Sequence, residues 1–370
     1  MKKTIILWLF LLFSISKSQS LTFKNTSLDF ITDASSAAMG ESFVANPNGN
    51  FSFFENPAAL PNNSSPKLFY YTRSQGWMKL VENYNYSSAG FTSSTFLGNI
   101  GIGFSRFTSG RIPINIFDNT TSTQGYEDHN QTLMLSMSRN IFNALSFGAG
   151  LKVFYRSLES YGGQNYQINS NYSFLIDLGL LTHFKNILAS KDNSDNLYLG
   201  CSIQNFGTDY EEEYKNLFNE KVKQILPRFL RFGFAYEVNL LLGQKSPTNI
   251  NLLFTGEYKN LLNPGNSEKT DVDYWGCGIE ATLFKIVSLR LGGIISPESN
   301  VLFDRAKFQT RYGIGLNIPM ALIGIETPLK VRLDYAIIPV NQITVYDING
   351  NQSKSKSSLY AFGISISYIR

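Results

Sequence analysis

Cysteine and histidine are almost absent from this sequence, with two of each among 370 residues. Cys201 and Cys277 each stand beside a glycine, with no C-x-x-C partner and no companion histidine. They read as small apolar residues on strand faces and provide no disulfide framework. His129 and His183 cannot supply a zinc site, and no H-E-x-x-H is present, so neither a metal nor a cofactor is expected. No G-x-S-x-G elbow occurs, which removes one common hydrolase arrangement. Charge is also scarce, at 16% Asp, Glu, Lys and Arg, against roughly 25% in ordinary soluble proteins. The net charge of +4 comes without a basic cluster, so nucleic acid is not an expected partner. No stretch reaches the length of about 18 uninterrupted apolar residues that marks a spanning helix.

What the chain does have is aromatic residues, at 14%, and 29 glycines. Met1-Lys2-Lys3 followed by the apolar Thr4 to Phe13 has the layout of a signal peptide over residues 1–20, with small-x-small cleavage options at Ser14 to Ser18. No Pro-rich linker or composition shift divides what remains. From Lys67 onward the chain alternates with period two in segments separated by turn-rich stretches, and fourteen strands can be read. They centre on residues 68–72, 86–92, 100–107, 132–138, 145–156, 172–183, 197–205, 228–238, 249–258, 273–283, 287–294, 309–318, 329–338 and 359–369.

In Leu230 to Val238 the bulky residues 230, 232, 234, 236 and 238 oppose Arg231, Gly233, Ala235 and Glu237. Tyr312, Ile314, Leu316 and Ile318 likewise oppose Arg311, Gly313, Gly315 and Asn317. A soluble sandwich would turn the bulky set inward; a transmembrane barrel turns it out to lipid and keeps glycine and charge inside. Connection lengths favour the barrel. Thr108–Gln131, Ser157–Asn171, Gly207–Pro227 and Val340–Ser358 are long, and the intervening connections are short, as in outer-membrane barrels with loops on one rim and turns on the other. An even strand count returns both termini to one side, expected to be the periplasm. The fold expected is all-β, a 14-stranded antiparallel transmembrane barrel in contact with outer-membrane lipid. Residues 67–370 form the wall, and residues 21–66 form a separate N-terminal piece.

The inward-facing charges on this register are Lys152, Arg156, Asp177, Arg231, Glu237, Glu257, Glu280, Arg290, Arg311, Arg332 and Asp334. Their mixed signs suit a bracing network better than a substrate path. Gly276-x-Gly278-x-x-Ala281 imitates a dinucleotide fingerprint but lies within an alternating strand with no following helix, so its glycines read as thin inner-wall positions. Gly313 is read the same way, and its replacement by Ser is expected to be mild. The run Asp209 to Lys223 places acids before bases, which suits a short amphipathic helix. His183 has no evident serine partner for a barrel phospholipase, and the chain is not expected to be an enzyme.

Residues 33–60 do not alternate. Ala34 to Ala38 and Met39-Gly40 would allow close packing against a wall, and Asn46 to Asn50 is turn chemistry. Asn56 is a good N-cap with Pro57 and Ala58 behind it in the first helical turn. These residues alone suit either an arm with two turns or a plug. Asp33-Ala34 through Met39-Gly40, then Asn56-Pro57-Ala58-Ala59-Leu60, resembles the N-terminal signature of the PorV/PorQ family, relatives of the FadL long-chain fatty-acid transporters. Two departures are Glu41, where another small residue is usual, and the missing acidic run after Val44. The resemblance implies a FadL-like barrel with Asp33, Met39, Gly40, Asn56, Pro57 and Ala58 in an internal hatch. It further implies a non-enzymatic role in type IX protein secretion, as a cargo-shuttling or surface-attachment component with secretion-apparatus or cargo proteins as partners. The alternative is a FadL-type transporter of hydrophobic compounds. The last strand, alternating Phe362, Ile364, Ile366 and Tyr368 with Gly363, Ser365 and Ser367, resembles a barrel-terminal insertion signal.

Overall fold

A computed structural model describes residues 27–28, 33–46, 48–60, 67–75, 85–110, 112–113, 125–142, 144–161, 167–188, 193–215, 221–242, 248–262, 274–295, 308–346 and 352–368. The expected signal peptide and cleavage sites lie outside these residues. Eighteen strands form one sheet. They are β1 (Lys67–Gln75), β2 (Asn85–Thr95), β3 (Gly98–Thr108), β4 (Ile112–Pro113), β5 (Gly125–Phe142), β6 (Leu145–Tyr161), β7 (Gln167–Ser170), β8 (Ser173–Lys185) and β9 (Ser194–Gly207). The second half is β10 (Tyr210–Lys215), β11 (Lys221–Gln224), β12 (Phe229–Leu242), β13 (Thr248–Leu261), β14 (Tyr274–Leu283), β15 (Val287–Ile295), β16 (Gln309–Pro319), β17 (Leu329–Tyr346) and β18 (Gln352–Tyr368).

Leaving out the short β4, β7, β10 and β11, fourteen strands make an antiparallel wall, each containing the centre of one alternating segment. β18 pairs with β1 from Lys67↔Ser367 to Gln75↔Tyr360, so the sheet closes on itself. Closure leaves no backbone edge to face hydrocarbon, where an unpaired N–H or C=O is costly. No helix among the described residues is long and apolar enough to cross a membrane.

The faces fall where the alternation puts them. Phe232, Phe234, Leu133, Leu135, Tyr312 and Ile314 are exposed on the outside, whereas Arg231, Ala235, Met134, Arg311 and Asn317 are buried on the inside. The wall is taller than apolar alternation shows. β5 begins at Gly125, β6 runs to Tyr161, and β17 and β18 continue to Tyr346 and Gln352. These ends sit within connections read as loops. Their residues, such as Ser353-Lys354-Ser355-Lys356-Ser357, alternate among polar types.

The helix expected between Asp209 and Lys223 is instead the β10–β11 hairpin, which sets Glu211 opposite Lys223 and Glu213 opposite Lys221. The acids before bases match across a turn rather than along a helix axis. The edge of β7 also offers β10 a partner, while an isolated helix of this length is marginal.

One irregularity breaks the wall between β8 and β9, where the register shifts between Ile176 and Leu178. Asn205 takes a left-handed conformation (φ 61°), and two consecutive residues, Gln204 and Asn205, are buried inside. The Asn205 N–H bonds to Asp177 Oδ1 at 2.7 Å, so a side chain replaces the missing ladder bond.

The assigned faces make a test. Ile314→Arg places a charge against hydrocarbon and is expected to cost about 2–4 kcal/mol near the midplane. Heat-modifiable gel migration of the membrane-extracted protein reads the loss of folded barrel; an unaffected barrel would mean the faces are reversed.

Candidate functional site: a hatch seated in the lumen

Residues 33–60 occupy the barrel interior. Asp33 caps the Ala34–Ala38 helix by accepting from the Ser35 N–H, and every residue of that helix is buried. A single helical turn covers Ser52–Glu55. Asn56 then caps the 3-10 turn Pro57–Ala59 through its side-chain oxygen, with Pro57 leading the turn.

The backbone of this hatch lies directly on the wall, which requires residues without side chains beneath it. An added Cβ at Gly278 would stand 2.6 Å from Met39 Cβ, and one at Gly200 would stand 2.8 Å from Ala45 Cα. Gly148 faces Pro57 and Ala58, and Gly179 faces Asn56. Gly276 and Gly278, the false fingerprint, therefore form part of a seat. So does Gly313, whose Cβ would collide with Ala38, and the expectation of a mild Gly313→Ser substitution is corrected here. Gly40 needs its own lack of a side chain twice over, with φ 67° and the carbonyls of Gly293 and Cys277 against it.

Polar ties fix one side of the hatch. Arg311 Nη1 donates to Glu41 Oε1 at 2.6 Å, and the Tyr274 hydroxyl donates to Glu41 Oε2 at 2.9 Å. The departure at Glu41 is thus a brace. Ser42 meets Thr255 Oγ1 at 2.6 Å, and the Val44 N–H reaches Glu257 Oε2 at 2.9 Å. Gln204 Nε2, turned inward by the bulge, donates to the Phe54 and Glu55 carbonyls at 2.7 and 2.6 Å. Asn56 Nδ2 donates to the Val44 carbonyl at 2.7 Å and to the Leu180 carbonyl of β8 at 3.0 Å. One amide thereby joins both halves of the hatch to the wall.

Toward β2, β3 and β5 the contact of residues 51–60 is apolar, while Ser27, upstream of the hatch, donates its N–H to Asn130 of β5 and meets Thr132 Oγ1 at 2.7 Å. Phe51, Phe53, Phe54 and Leu60 are buried in one cluster with Tyr70 and Met134. The rings of Phe51, Phe53 and Phe54 lie 5.1–5.5 Å apart. Gly90 and Gly101 leave room for Phe51 and Leu60. Beyond this seam, on β1, the Tyr70 hydroxyl donates to Asp33 Oδ1 at 2.9 Å.

Most of the inward charges meet in pairs. Lys152 Nζ lies 2.6 Å from Asp177 Oδ2, with both side chains buried. Arg231 Nη1 stands 3.2 Å from Glu55 and 3.1 Å from Glu257. Arg290 bonds to Glu280 and lies 2.7 Å from Asp334, which also takes Arg332 Nε at 2.8 Å. Arg156 is apart from the hatch, holding Asp128 near the rim of long connections, and Glu237 accepts from Asn251 near the opposite rim.

Sequence reasoning missed Glu55, Tyr70 and Lys259. Lys259 is buried with its ammonium 3.9 Å from the Phe229 ring centroid and 5.3 Å from that of Tyr274. Among the described residues, no group of three His, Cys, Asp or Glu side chains could hold a metal ion.

One guanidinium facing two buried carboxylates leaves an excess of negative charge. Burial pushes the Glu55 carboxyl up to about 8, more than Arg231 offsets, and the charge on Glu257 adds to the rise. Glu41 goes the other way. Burial raises it, but Arg311 and Lys259 together hold it below the ordinary carboxylate value.

The uncharacterised protein family UPF0164 matches residues 21–325. The chain belongs to that family. No curated protein sequence matches it. Among solved structures, the Pseudomonas putida toluene transporter TodX aligns over 93% of this chain and 100% of its own, at 10% identity and a TM-score of 0.52. A second TodX structure gives 91% and 98% coverage, 10% identity and 0.51. A Pseudomonas aeruginosa FadL homologue covers 95% and 100% at 11% identity, with a TM-score of 0.44. At such identities the TodX likeness speaks for the fold, and the fold is that of an outer-membrane barrel.

Two outcomes test the seat. Asn56→Ala removes the cap and both amide ties; loss of the cap alone costs about 0.5–2 kcal/mol. A cysteine at Ala58 should then react faster with a water-soluble thiol reagent in a barrel that still migrates as folded. Unchanged labelling would show that Asn56 does not hold the hatch. The second outcome concerns pH. The Glu55 carboxyl rises from 4.5 to about 8 on seating, so seating takes up a proton between these values, weakens as pH climbs toward 8 and changes no further above it. Labelling at Ala58 should therefore increase between about pH 6 and 8 beyond the increase seen in Glu55→Gln; equal profiles would contradict it.

Proposed function

We propose that this barrel is a non-enzymatic passage for hydrophobic compounds across the outer membrane, closed by its hatch at rest. Its long connections face outward and both termini lie in the periplasm, as the loop lengths imply. The observation that carries the proposal is the uneven seat. Charge pairs and amide bonds hold the hatch to β8, β9, β12–β14, β16 and β17, while Phe51, Phe53, Phe54 and Leu60 merely lean on β2, β3 and β5. Parting a polar contact strands buried groups, which is expensive. Parting an apolar seam costs little when an apolar molecule fills the gap, because it restores the contacts that the separation removes. The toluene transport named for TodX supports this reading by shared architecture.

The test joins the seam shut. In a Cys201→Ser/Cys277→Ser background, Leu60→Cys and Gly101→Cys are linked by a short reductant-cleavable bis-thiol reagent. These positions touch, since Leu60 Cδ2 lies 2.8 Å from where a Gly101 Cβ would stand. Cells producing the unlinked protein should take up labelled toluene faster than cells without it. Linking should abolish the gain, and reduction should restore it. No gain from the unlinked protein would end the proposal.

A second reading rests on a different feature. β7, β10 and β11 form a small sheet beside the wall, at the rim of long connections. Such a ledge suits a partner-docking role like that of PorV/PorQ proteins in type IX secretion. Capture of secreted cargo by the linked barrel, without toluene uptake, would favour it.

A further inference from the structure

The rim of short turns carries a feature that hydrocarbon passage does not use. Under the hatch opens a cavity of about 300 Å³, walled by β12–β17 and roofed by Phe43, Asn46 and Asn48. The size is at the small end of ligand pockets, but the chemistry is unlike the usual apolar one. Its lining is mostly polar, interrupted by Phe43 and Leu253, with asparagine amides recurring from the hatch to β16.

The charges around the cavity are sorted by position. On the β12 side stands Glu237; toward β14–β17 stand Lys285, Lys330 and Arg332. Glu280, also in the lining, is engaged by Arg290 and by the Thr282 hydroxyl. Arg332 gives its Nε to Asp334. The Lys285 and Lys330 ammonium groups therefore make that end of the cavity positive. Glu237 accepts from Asn251 Nδ2 and Asn196 Nδ2 but keeps lone pairs to spare. Asn239 and Asn251 stand beside Glu237, and Asn317 stands beside Arg332 of β17. Asn251 Nδ2 donates to Glu237 and to Asn239 Oδ1, so Asn251 keeps its oxygen as an acceptor and Asn239 its N–H groups as donors, and the two together present the pair that a peptide group matches.

We infer that this vestibule binds a short zwitterionic peptide. The peptide carboxylate sits against Lys330 and Lys285, its ammonium lies toward Glu237, and its backbone amides pair with the asparagine side chains. The site lies below the hatch on the polar side of the lumen, and it does not depend on whether the apolar seam conducts.

The experiment is calorimetric titration of the full-length barrel in detergent with L-alanyl-L-alanine. Saturable binding near one peptide per barrel is expected. The dipeptide amide, which lacks the carboxylate, should bind at least tenfold more weakly. N-acetyl-alanyl-alanine, which lacks the ammonium, should also lose affinity. Lys330→Gln should weaken the dipeptide at least tenfold, with Lys285→Gln as a second variant in a turn remote from the wall core. Heat-modifiable migration confirms that each variant remains folded. No dipeptide binding, equal binding of the amide, or inorganic phosphate binding as tightly as the dipeptide would each overturn the assignment. The last result would mean a simple anion site.

Discussion

A polypeptide in hydrocarbon must satisfy its backbone hydrogen bonds within itself, and the rest of this structure depends on that constraint. The β1–β18 pairing closes the ladder. Once closed, the wall sorts side chains by parity. Phe234 and Ile314 face outward, while Arg231, Arg311 and Asp334 are buried in the lumen. The hatch follows from this sorting. It supplies Glu41 and Glu55 to inward arginines and lays its backbone on inward glycines.

Glycine and charge divide the lumen between them. Where the wall offers Gly148, Gly179, Gly200, Gly278 and Gly313, the hatch backbone touches it. Where the wall offers Arg231, Glu257 or Arg311, the hatch sends a side chain or an N–H. Toward β2 and β3 it offers aromatic rings instead. The seat is therefore strong in one direction and replaceable in the other, the asymmetry on which the proposed passage rests.

Much of the wall was legible because lipid enforces a strict two-residue period, as in Leu230 to Val238. The wall's upper parts were not. In Ser353 to Ser357 and in Tyr210 to Lys215 no apolar alternation marks the strand, and hydrogen-bonded partners specify it. Within the hatch, the Asn56-Pro57 cap could be read from local chemistry. The brace at Glu41 could not, because its partner Arg311 lies 270 positions away. Lys259 was hidden for a similar reason, since the Phe229 and Tyr274 rings that shelter it belong to neighbouring strands. Period shows which face a residue takes, and it does not show what waits there.

The central claim is that the hatch holds fast through its polar half and yields along its aromatic half. Hydrogen–deuterium exchange of the detergent-solubilised barrel, read separately for residues 34–45, 51–53 and 54–58, tests this most directly. On addition of toluene, residues 51–53 should exchange faster while residues 34–45, residues 54–58 with their ties to β8, β9 and β12, and the wall strands keep their protection. Equal acceleration of both halves, or no response in either, would contradict the account.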